Sequence, residues 1–233
     1  MKRKQVLIIS ATREKTKQNT LLYKSLDAIS TSNMIVKKQF KLHMYTDNKT
    51  SLSKIYNKHI NKQTLKKHDV VLFVHDDVFI DDLGCFDKLY SSLFMYGNDI
   101  VGLAGAAQAT IKKPALWHMM SDRKHHSGSV AHMDTQHDVM QMTSFGPYPR
   151  RCLLLDGLFL AVNLKNVLDV NWQFNDQFEF HHYDLASCID ANKLKLKLST
   201  CNIHVVHESP GLKDYHDDNY QRSEKKFLQL YTN

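Results

Sequence analysis

The stretch DVVLFVHDDVFI, residues 69–80, places three ionisable side chains inside an apolar run. Its first half, up to Val74, has the continuous apolar character of a parallel strand that is covered on both faces. His75, Asp76 and Asp77 follow, and burying carboxylates without partners costs several kcal/mol. We therefore predict that the strand ends at Val74 and that the three polar residues stand at its carboxyl end, in a cleft.

Two further apolar runs lie on either side of this one along the chain. QVLIIS (5–10) and DIVGLAGA (99–106) have the pattern of buried strands, and residues 18–31 have the apolar spacing of a helix. This alternation predicts an α/β fold with a mostly parallel central sheet flanked by helices. Ligands of such sheets bind beyond the carboxyl ends of the strands, so the polar residues at the end of QVLIIS are candidates for a binding site.

The rest of the chain is assigned from local patterns. MIVKKQFKLHMY (34–45) alternates loosely and suggests a strand, whereas SLSKIYNKHINKQ (51–63) has the spacing of a helix. Residues 107–150 are rich in Met, His, Gln, Ser and Gly, and we expect them to form a long loop excursion or lid. Further elements are expected as strands at 151–163 and 197–209 and as helices at 82–97, 181–195 and 217–231.

Composition limits the partners and the cellular setting. The chain has 233 residues, a formal charge of +7 and a pI of about 9.1, which suggests an anionic partner such as a nucleotide, a nucleic acid or a membrane surface. The lysines are scattered along the chain, so specific nucleic-acid binding is not expected. The four cysteines are widely spaced and are expected to be free thiols. Because the apolar runs are too short for a signal peptide or a membrane span, we expect a cytoplasmic protein, with a membrane-peripheral position as an open alternative.

The polar residues after Val74 have the chemistry of a metal site. In an extended backbone His75 and Asp77 point to one side and Asp76 points to the other. A carboxylate that faces a cleft suits Mg²⁺ or Mn²⁺, which take one or two protein carboxylates and complete their shell with water and substrate phosphates. The alternative for an isolated Asp-Asp pair is a strand end that caps the next helix.

Five motifs follow one another along the chain. They are SLSKIYNKHI (51–60), DVVLFVHDDVFI (69–80), DGLFLAV (156–162), FEFHHYDLASCIDANKLKLKL (178–198) and IHVVHESPG (203–211). Together they resemble the GT-A-fold glycosyltransferases, in particular the family-2-like group typified by the streptomycin-biosynthesis glycosyltransferase domain. The resemblance implies one Rossmann-like GT-A domain over residues 1–233, with a mixed, mostly parallel sheet. Residues 1–106 would bind the nucleotide sugar, residues 107–150 would form the loop excursion or lid, and residues 151–233 would form the acceptor and catalytic half.

The resemblance assigns roles on the donor side. Asp77 would bind Mn²⁺ or Mg²⁺, and His207 would complete the metal shell, with His204 as its alternative. His75 replaces the first Asp of the family's Asp-x-Asp motif and is expected near the ribose or base. The middle residue, Asp76, belongs to the nucleotide-binding segment but faces away from the metal, so we expect it to be dispensable for chemistry. The other residues implied to surround the nucleotide are Ser10, Ala11, Thr12, Arg13, Lys54 and Asn57.

The resemblance also assigns an acceptor side. Asp184 would be the catalytic base, which takes a proton from the acceptor hydroxyl as it attacks the anomeric carbon with inversion. Asp156, Gly157 and His182 would border the acceptor. The donor would be a UDP-, GDP- or dTDP-linked sugar, and the acceptor a glycan, a lipid-linked molecule or a protein. If Asp184 is not the base, His182 or Glu179 is the alternative.

Two other classes of function stay open. KHD (67–69) and HDD (75–77) resemble the His-Asp pairs of metal phosphohydrolases, although those pairs usually lie on helices. A non-catalytic nucleotide- or nucleic-acid-binding module is the second alternative. The histidines of the 107–150 excursion lack the spacing of a zinc site and are interpreted as part of a lid or acceptor loop. They are His118, His125, His126, His132 and His137.

Overall fold

A computed structural model describes residues 3–32, 34–134, 139–208 and 217–232, so His137 lies outside the described residues. The strands are β1 (Val6–Ala11), β2 (Phe40–Tyr45), β3 (Val70–Val74), β4 (Val78–Ile80), β5 (Ile100–Gly102), β6 (Ala104–Ala106), β7 (His126–Asp134), β8 (Val139–Gly146), β9 (Leu154–Leu155), β10 (Phe159–Asn163), β11 (Leu198–Thr200) and β12 (Val205–His207). The helices are α1 (Leu21–Ser32), α2 (Met34–Lys37), α3 (Leu52–Asn57), α4 (Lys62–Lys67), α5 (Cys85–Tyr90), α6 (Leu164–Asp169), α7 (Tyr183–Lys193) and α8 (Asp218–Tyr231).

A six-stranded sheet forms the centre of the fold, in the order β11-β5-β10-β3-β1-β2. Five of its strands run in one direction, and β10 runs against them, antiparallel to both β3 and β5. Every residue of β3 and β10 is buried, which is why both segments are continuous apolar runs. The predicted mixed, mostly parallel sheet is confirmed, and β3 ends at Val74 as predicted.

A second sheet, in the order β4-β12-β7-β6-β9 with β8 paired to β7, differs from the predictions. DIVGLAGA was predicted as one strand, but it divides into β5 and β6, which belong to different sheets. The predicted strands at 151–163 and 197–209 divide in the same way, into β9 and β10 and into β11 and β12. Residues 107–150 were predicted as a loop excursion, but they contain β7 and β8, the two longest strands described.

Two glycines allow the strands of the second sheet to approach one another. A Cβ on Gly105 would lie 2.2 Å from the carbonyl oxygen of Leu154. A Cβ on Gly128, whose φ is +106°, would lie 1.9 Å from the carbonyl oxygen of Leu103. Any larger residue at either position would push β6 away from β9 or β7.

The helices follow the predicted pattern with two corrections. Residues 34–45 were predicted as a strand, but they begin as α2 and only their second half forms β2. The predicted helix at 51–63 is two helices, because Asn61 accepts a hydrogen bond from the Thr64 N–H and so starts α4. The predicted helices near 181–195 and 217–231 are present as α7 and α8, and the one near 82–97 is present as α5 followed by a π-helical turn, Ser91–Met95. Among the described residues there is no helix of the length and apolar character that crossing a membrane requires.

Candidate active site

Three of the predicted residues meet beyond the carboxyl end of β3. His75 and Asp77 lie between β3 and β4, and the antiparallel pairing of β12 with β4 places His207 opposite Val78. A ligand atom from each of His75, Asp77 and His207 lies within 4.8 Å of the other two. The register of β4 and β12 therefore joins residues that are far apart in sequence into one group, which we call the metal group.

The atoms of the metal group fit a divalent cation. Asp77 Oδ1 and His207 Nε2 are buried and meet at 3.3 Å without the geometry of a hydrogen bond. Burial alone would raise the pKa of Asp77, but the adjacent His207 outweighs it and the pKa is lowered. Burial alone would lower the pKa of His207, but Asp77 raises it. A carboxylate and two imidazoles whose ligand atoms lie within 4.8 Å of one another are ligands that divalent ions take in proteins.

The hydrogen bonds of His75 leave one of its ring nitrogens for a ligand. Its Nε2 lies 3.0 Å from the Tyr183 hydroxyl, which donates its own proton to the Gly157 carbonyl oxygen at 2.9 Å. Nε2 therefore carries the imidazole hydrogen, and Nδ1 keeps its lone pair. Burial lowers the pKa of His75, which favours the neutral ring that a metal ion needs. His75 was expected beside the ribose or base, but it lies in the metal group.

The turn at residues 75–77 separates two cavities. The smaller one, of about 730 Å³, is lined by Asp76 together with Thr12 and Arg13, which follow β1, and we call it the nucleotide cleft after the role predicted for these residues. Asp76 faces away from the metal group, as predicted, but it faces this cleft and not open solvent. Burial raises the pKa of Asp76, and the Thr12 hydroxyl acts against that shift. That Asp76 is dispensable for chemistry stays a prediction, and its place on this cleft makes donor binding the property to measure.

Only some of the other residues predicted around the nucleotide line the nucleotide cleft. Ser10 is fully buried, and Lys54 is exposed on α3 and lines neither cavity. Asn57 is turned away from the cleft, because its amide donates to the Phe174 carbonyl oxygen and accepts from the Phe174 N–H, both at 2.8 Å. The predicted residues that do line the nucleotide cleft are Ala11, Thr12, Arg13 and Asp76.

Residues 47–52 form a wall of the nucleotide cleft that the sequence patterns did not reveal. The Asn48 N–H donates to the Thr12 carbonyl oxygen at 2.9 Å, and the Asp47 N–H donates to that of Glu14 at 2.8 Å. These bonds hold the loop after β2 against the loop after β1. The parallel pairing of β1 and β2 could have predicted this wall, because the loops that follow parallel neighbouring strands lie at the same edge of a sheet.

The larger cavity, of about 930 Å³, contains Asp184 and Asp156 together with His75 and His207. Asp184 lies in the first turn of α7, and its Oδ2 accepts a hydrogen bond from the Gly157 N–H at 3.0 Å. A Cβ on Gly157 would lie 2.9 Å from the Asp184 Cβ, so the chain needs glycine here. Burial, and after it the charge of Asp156, raises the pKa of Asp184 to about 7. We call this space the acceptor cavity, after the role predicted for Asp156, Gly157 and His182, which line it.

Trp117 and α8 hold Asp156 in place, and neither contribution was predicted. Asp156 Oδ2 accepts a hydrogen bond from the Trp117 indole N–H at 2.9 Å. The segment that carries Trp117 is bound to α8, since Glu224, which is only 2% exposed, accepts the Ala115 N–H at 2.8 Å. The sequence contained a sign of this contact. Glu224 is an acidic residue on the same face of α8 as the buried Phe227, and an acidic residue on a buried helix face needs a partner.

His182 lines the acceptor cavity and is hydrogen-bonded to α8. Its backbone is left-handed, with φ of 63°, and its Nδ1 lies 2.8 Å from the Ser223 hydroxyl. Burial, and then the adjacent His181, lowers its pKa to about 4, so the ring is a weak base at neutral pH. Glu179, the other alternative base, lines the nucleotide cleft and not the acceptor cavity.

Three histidines of residues 107–150 also border the acceptor cavity, whereas His204 is not a member of the metal group. His118, His126 and His132 line the cavity, and His132 pairs in register with His207. His204 is exposed, and its N–H donates to Asp82, so His207 and not His204 joins the metal group.

The two His-Asp pairs that suggested a phosphohydrolase lie at opposite ends of β3. His68 Nδ1 bonds to the Gln5 carbonyl oxygen at 2.8 Å, and Asp69 pairs with Lys4 at 2.8 Å. Six residues of extended chain, about 20 Å, separate Asp69 from His75. The pairs therefore do not form one metal site, which removes the observation that favoured this alternative.

The chain is similar to known proteins in sequence pattern and in fold. A family described as glycosyltransferase-like matches residues 15–231, and no curated protein matches the sequence. A197 from STIV is 10% identical, with a TM-score of 0.52, over 88% of this chain and 86% of its own. GalNAc-T7, crystallised with UDP, GalNAc and Mn²⁺, is 8% identical, with a TM-score of 0.53, over 98% of this chain and 48% of its own. At these identities the two structures establish the fold alone, and they confirm the predicted GT-A fold.

Proposed function

Because the chain belongs to the glycosyltransferase-like family, we propose that it moves a sugar from a nucleotide-sugar donor to an acceptor hydroxyl with the help of a divalent metal ion. The observation that carries this proposal is the turn at 75–77. Asp76 lines the nucleotide cleft, whereas His75 and His207 of the metal group line the acceptor cavity, and Asp77 follows Asp76 directly in the chain. A donor in the cleft and an acceptor in the cavity would meet at the metal group.

His75, Asp77 and His207 would hold the metal ion. A bound divalent ion would neutralise the charge that develops on the diphosphate leaving group. The mixed nitrogen and oxygen ligands suit Mn²⁺ better than Mg²⁺, which prefers oxygen. The crystallisation of GalNAc-T7, a protein of similar fold, with Mn²⁺ agrees with this preference.

Asp184 is the proposed general base. The acceptor oxygen attacks the anomeric carbon, the bond from that carbon to the diphosphate oxygen breaks on the opposite side, and the hydroxyl proton passes to the Asp184 carboxylate. One displacement of this kind inverts the anomeric configuration. The pKa of about 7 suits this role, because the base is ionised near neutral pH and still holds a proton well. Asp156, fixed by Trp117, supplies a second negative charge close to the developing positive charge of the sugar.

The acceptor cavity favours a neutral ligand. Arg123 is the one Lys or Arg among its described lining residues, and aromatic side chains such as Trp117 and Phe145 form its walls. Burial lowers the pKa of His118 and His132, so their rings carry little charge. We therefore favour a glycan as acceptor, free or attached to a lipid or protein. The donor nucleotide would be UDP, GDP or dTDP, and the buried free cysteines support a cytoplasmic location.

Thermal unfolding in the presence of Mn²⁺ with UDP, GDP or dTDP tests the donor site. One nucleotide should raise the melting temperature, and mass spectrometry after incubation with nucleotide sugars should then detect slow hydrolysis of the matching donor. The proposal fails if no nucleoside diphosphate changes the melting temperature. If the wild type binds a nucleotide but consumes no donor, and Asp184→Asn binds the nucleotide equally well, the protein is a non-catalytic nucleotide-binding module.

A further inference from the structure

The edge of the central sheet opposite the two cavities is one continuous surface. The loops at this edge precede β1, β2, β3, β5 and β11 and follow β10, which runs in the opposite direction. Hydrogen bonds join these loops across the whole width of the sheet. The Asp69 carboxylate accepts from Lys4, and the Asp69 carbonyl oxygen accepts from the Leu164 N–H. The Asp99 carbonyl oxygen accepts from the Asn163 N–H. Bonds from the Asp99 N–H to the Lys197 carbonyl oxygen and from Val6 to Gln39 complete the row. With six strands at ordinary spacing, this edge is about 24 Å wide.

Exposed lysines occur along this edge without acidic partners. The acidic residues nearby are already bound: Asp69 pairs with Lys4, Asp169 pairs with Lys165, and Asp99 accepts from the Lys197 N–H. Six exposed lysines at the edge have no ion pair within the described residues. They are Lys37, Lys38, Lys66, Lys67, Lys195 and Lys197.

An exposed apolar tip lies within the same edge. Phe94, Met95 and Tyr96 end the helical turn after α5, four to six residues before the first residue of β5, and they are 46%, 78% and 70% exposed. The strand order places this tip between the lysines before β11 and those before β3. Leu194, which is 41% exposed, lies next in sequence to Lys195. Adjacent large apolar side chains are uncommon on a surface that only contacts water.

We propose that this basic edge binds a membrane surface that contains anionic lipids, with Phe94, Met95 and Tyr96 inserted among the headgroups. Lysines near an anionic surface each strengthen binding, and aromatic side chains prefer the boundary between headgroups and acyl chains. Charge and apolar area occur together here, as they do in proteins that lie on membranes. Because the cavities are at the opposite edge, a bound molecule presents its active site to the solution and not to the bilayer.

This surface is independent of the proposed enzyme activity. None of its lysines and none of its apolar residues lines either cavity or belongs to the metal group. Membrane binding and sugar transfer can therefore be tested separately, and the failure of one would not imply the failure of the other.

Sedimentation with vesicles tests the proposal on the full chain. The wild type should bind phosphatidylcholine vesicles that contain phosphatidylglycerol, more weakly as salt increases, and should not bind pure phosphatidylcholine. Each lysine is expected to contribute about a fivefold change in partitioning, so Lys66→Glu with Lys67→Glu should weaken binding at least about 25-fold. Lys195→Glu with Lys197→Glu, at the other side of the tip, should have a similar effect. Met95→Ser with Tyr96→Ser should also weaken binding, while donor hydrolysis stays unchanged in all three variants.

A matched control has the same change of charge elsewhere. Lys24→Glu with Lys112→Glu alters two exposed lysines that have no ion pair among the described residues, and it should bind vesicles nearly as well as the wild type. Circular dichroism confirms that each variant is folded. The proposal is wrong if the wild type ignores anionic vesicles, or if the control loses as much binding as the edge variants. Binding to duplex DNA gives a further test. The proposal is also wrong if the lysine variants lose DNA binding while Met95→Ser with Tyr96→Ser keeps full vesicle binding, because the edge would then be a nucleic-acid-binding surface.

Discussion

Asp184 has both properties that a general base requires at neutral pH. It lies on the wall of the acceptor cavity, and burial together with Asp156 raises its pKa to about 7. Its hydrogen bond from the Gly157 N–H fixes the carboxylate at the start of α7. The neighbouring His182 is less suited, because its pKa is lowered to about 4.

We expect Asp184→Asn to lower kcat by about 10²–10⁴-fold, because a positioned base contributes that much. The wild-type rate should increase with pH along a limb centred near pH 7, where Asp184 loses its proton, and this limb should disappear in the variant. Steady-state rates across the pH range measure both effects. The increase of melting temperature with Mn²⁺ and nucleotide should be unchanged, and unchanged turnover in the variant would assign the base to another residue.

Although Asp184→Asn should lower kcat, it should increase the stability of the folded protein at pH 8. The pKa of Asp184 is about 7 in the folded chain and about 3.9 in an unfolded one, so only the folded state holds this proton between those values. Stability therefore falls as pH rises from about 4 to 7 and stays lower above pH 7. Asp184→Asn should unfold at a higher temperature than the wild type at pH 8 and at a similar temperature near pH 4. A variant that is less stable at pH 8 would show that the buried charge is compensated.

Asp76 and Asp77 should have separable effects. Asp77→Ala removes a ligand of the metal group and should abolish the effect of Mn²⁺ on the melting temperature and on donor binding. Asp76→Ala removes a wall of the nucleotide cleft and should keep the effect of Mn²⁺ while raising the donor KM, by about tenfold if one hydrogen bond to a charged group is lost. Donor titrations at fixed Mn²⁺ distinguish the two. An unchanged KM would support the earlier expectation that Asp76 is dispensable.

At the scale of single elements, α8 acts as a support for the acceptor cavity. Glu224 accepts hydrogen bonds from the Ala115 N–H and from the Tyr220 hydroxyl, and Lys113 pairs with it at 3.4 Å. Trp117, two residues after Ala115, then reaches Asp156. The position of Asp156 therefore depends on a helix at the other end of the chain.

We expect Glu224→Ala to destabilise the protein by about 1–3 kcal/mol, since it leaves the buried Ala115 N–H without an acceptor. The acceptor KM should increase as well, because Trp117 loses its support. Glu224→Gln keeps an oxygen that can accept the Ala115 N–H and is the matched control. Urea denaturation and acceptor titration measure the two effects, and equal losses in both variants would mean that the charge of Glu224, and not its hydrogen bond, is what matters.

Elements were predictable where burial leaves a pattern in the sequence. β1, β3 and β5 lie in the covered central sheet, so continuous apolar runs identified them, and α1 showed helical spacing. β8 is exposed along most of its length, so it has neither a run nor an alternation, and the β7–β8 hairpin was mistaken for a loop. Strands of two or three residues, such as β6 and β9, are defined by their pairing partners and not by their own composition.

At the scale of the whole molecule, the metal group joins the two sheets. His75 follows β3 of the central sheet, and His207 belongs to β12 of the second sheet. Mn²⁺ at about 100 times its Kd should stabilise the fold by about 2.7 kcal/mol, which corresponds to roughly 5–10 °C for a chain of this size. Calorimetry with Mn²⁺, with Mg²⁺ and after chelation measures this effect, and Mn²⁺ should stabilise more than Mg²⁺. His207→Ala should reduce the shift, and a full shift in that variant would place the ion elsewhere.

The whole molecule also brings together charges that are dispersed along the chain. Lys37-Lys38 and Lys66-Lys67 are separate pairs in the sequence, which argued against a binding arm. Parallel strands begin at one edge of the sheet, so residues just before different strands become neighbours there. The basic edge is therefore a product of topology and not of a local cluster.

The sequence by itself was sufficient for the α/β class, the end of β3 at Val74, the enzyme class and the GT-A fold, which the family match and the solved structures confirm. The fold class and the end of β3 follow from burial, because buried strands are local runs of apolar residues. The enzyme class and the GT-A fold follow from short motifs, each of which is contiguous in the chain. Only the tertiary structure decided that Asp76 faces the nucleotide cleft, that His75 joins the metal group, and that Glu224 supports Trp117. Each of these depends on strand register or helix docking between distant segments, and a contact of that kind leaves no periodic signal in the sequence.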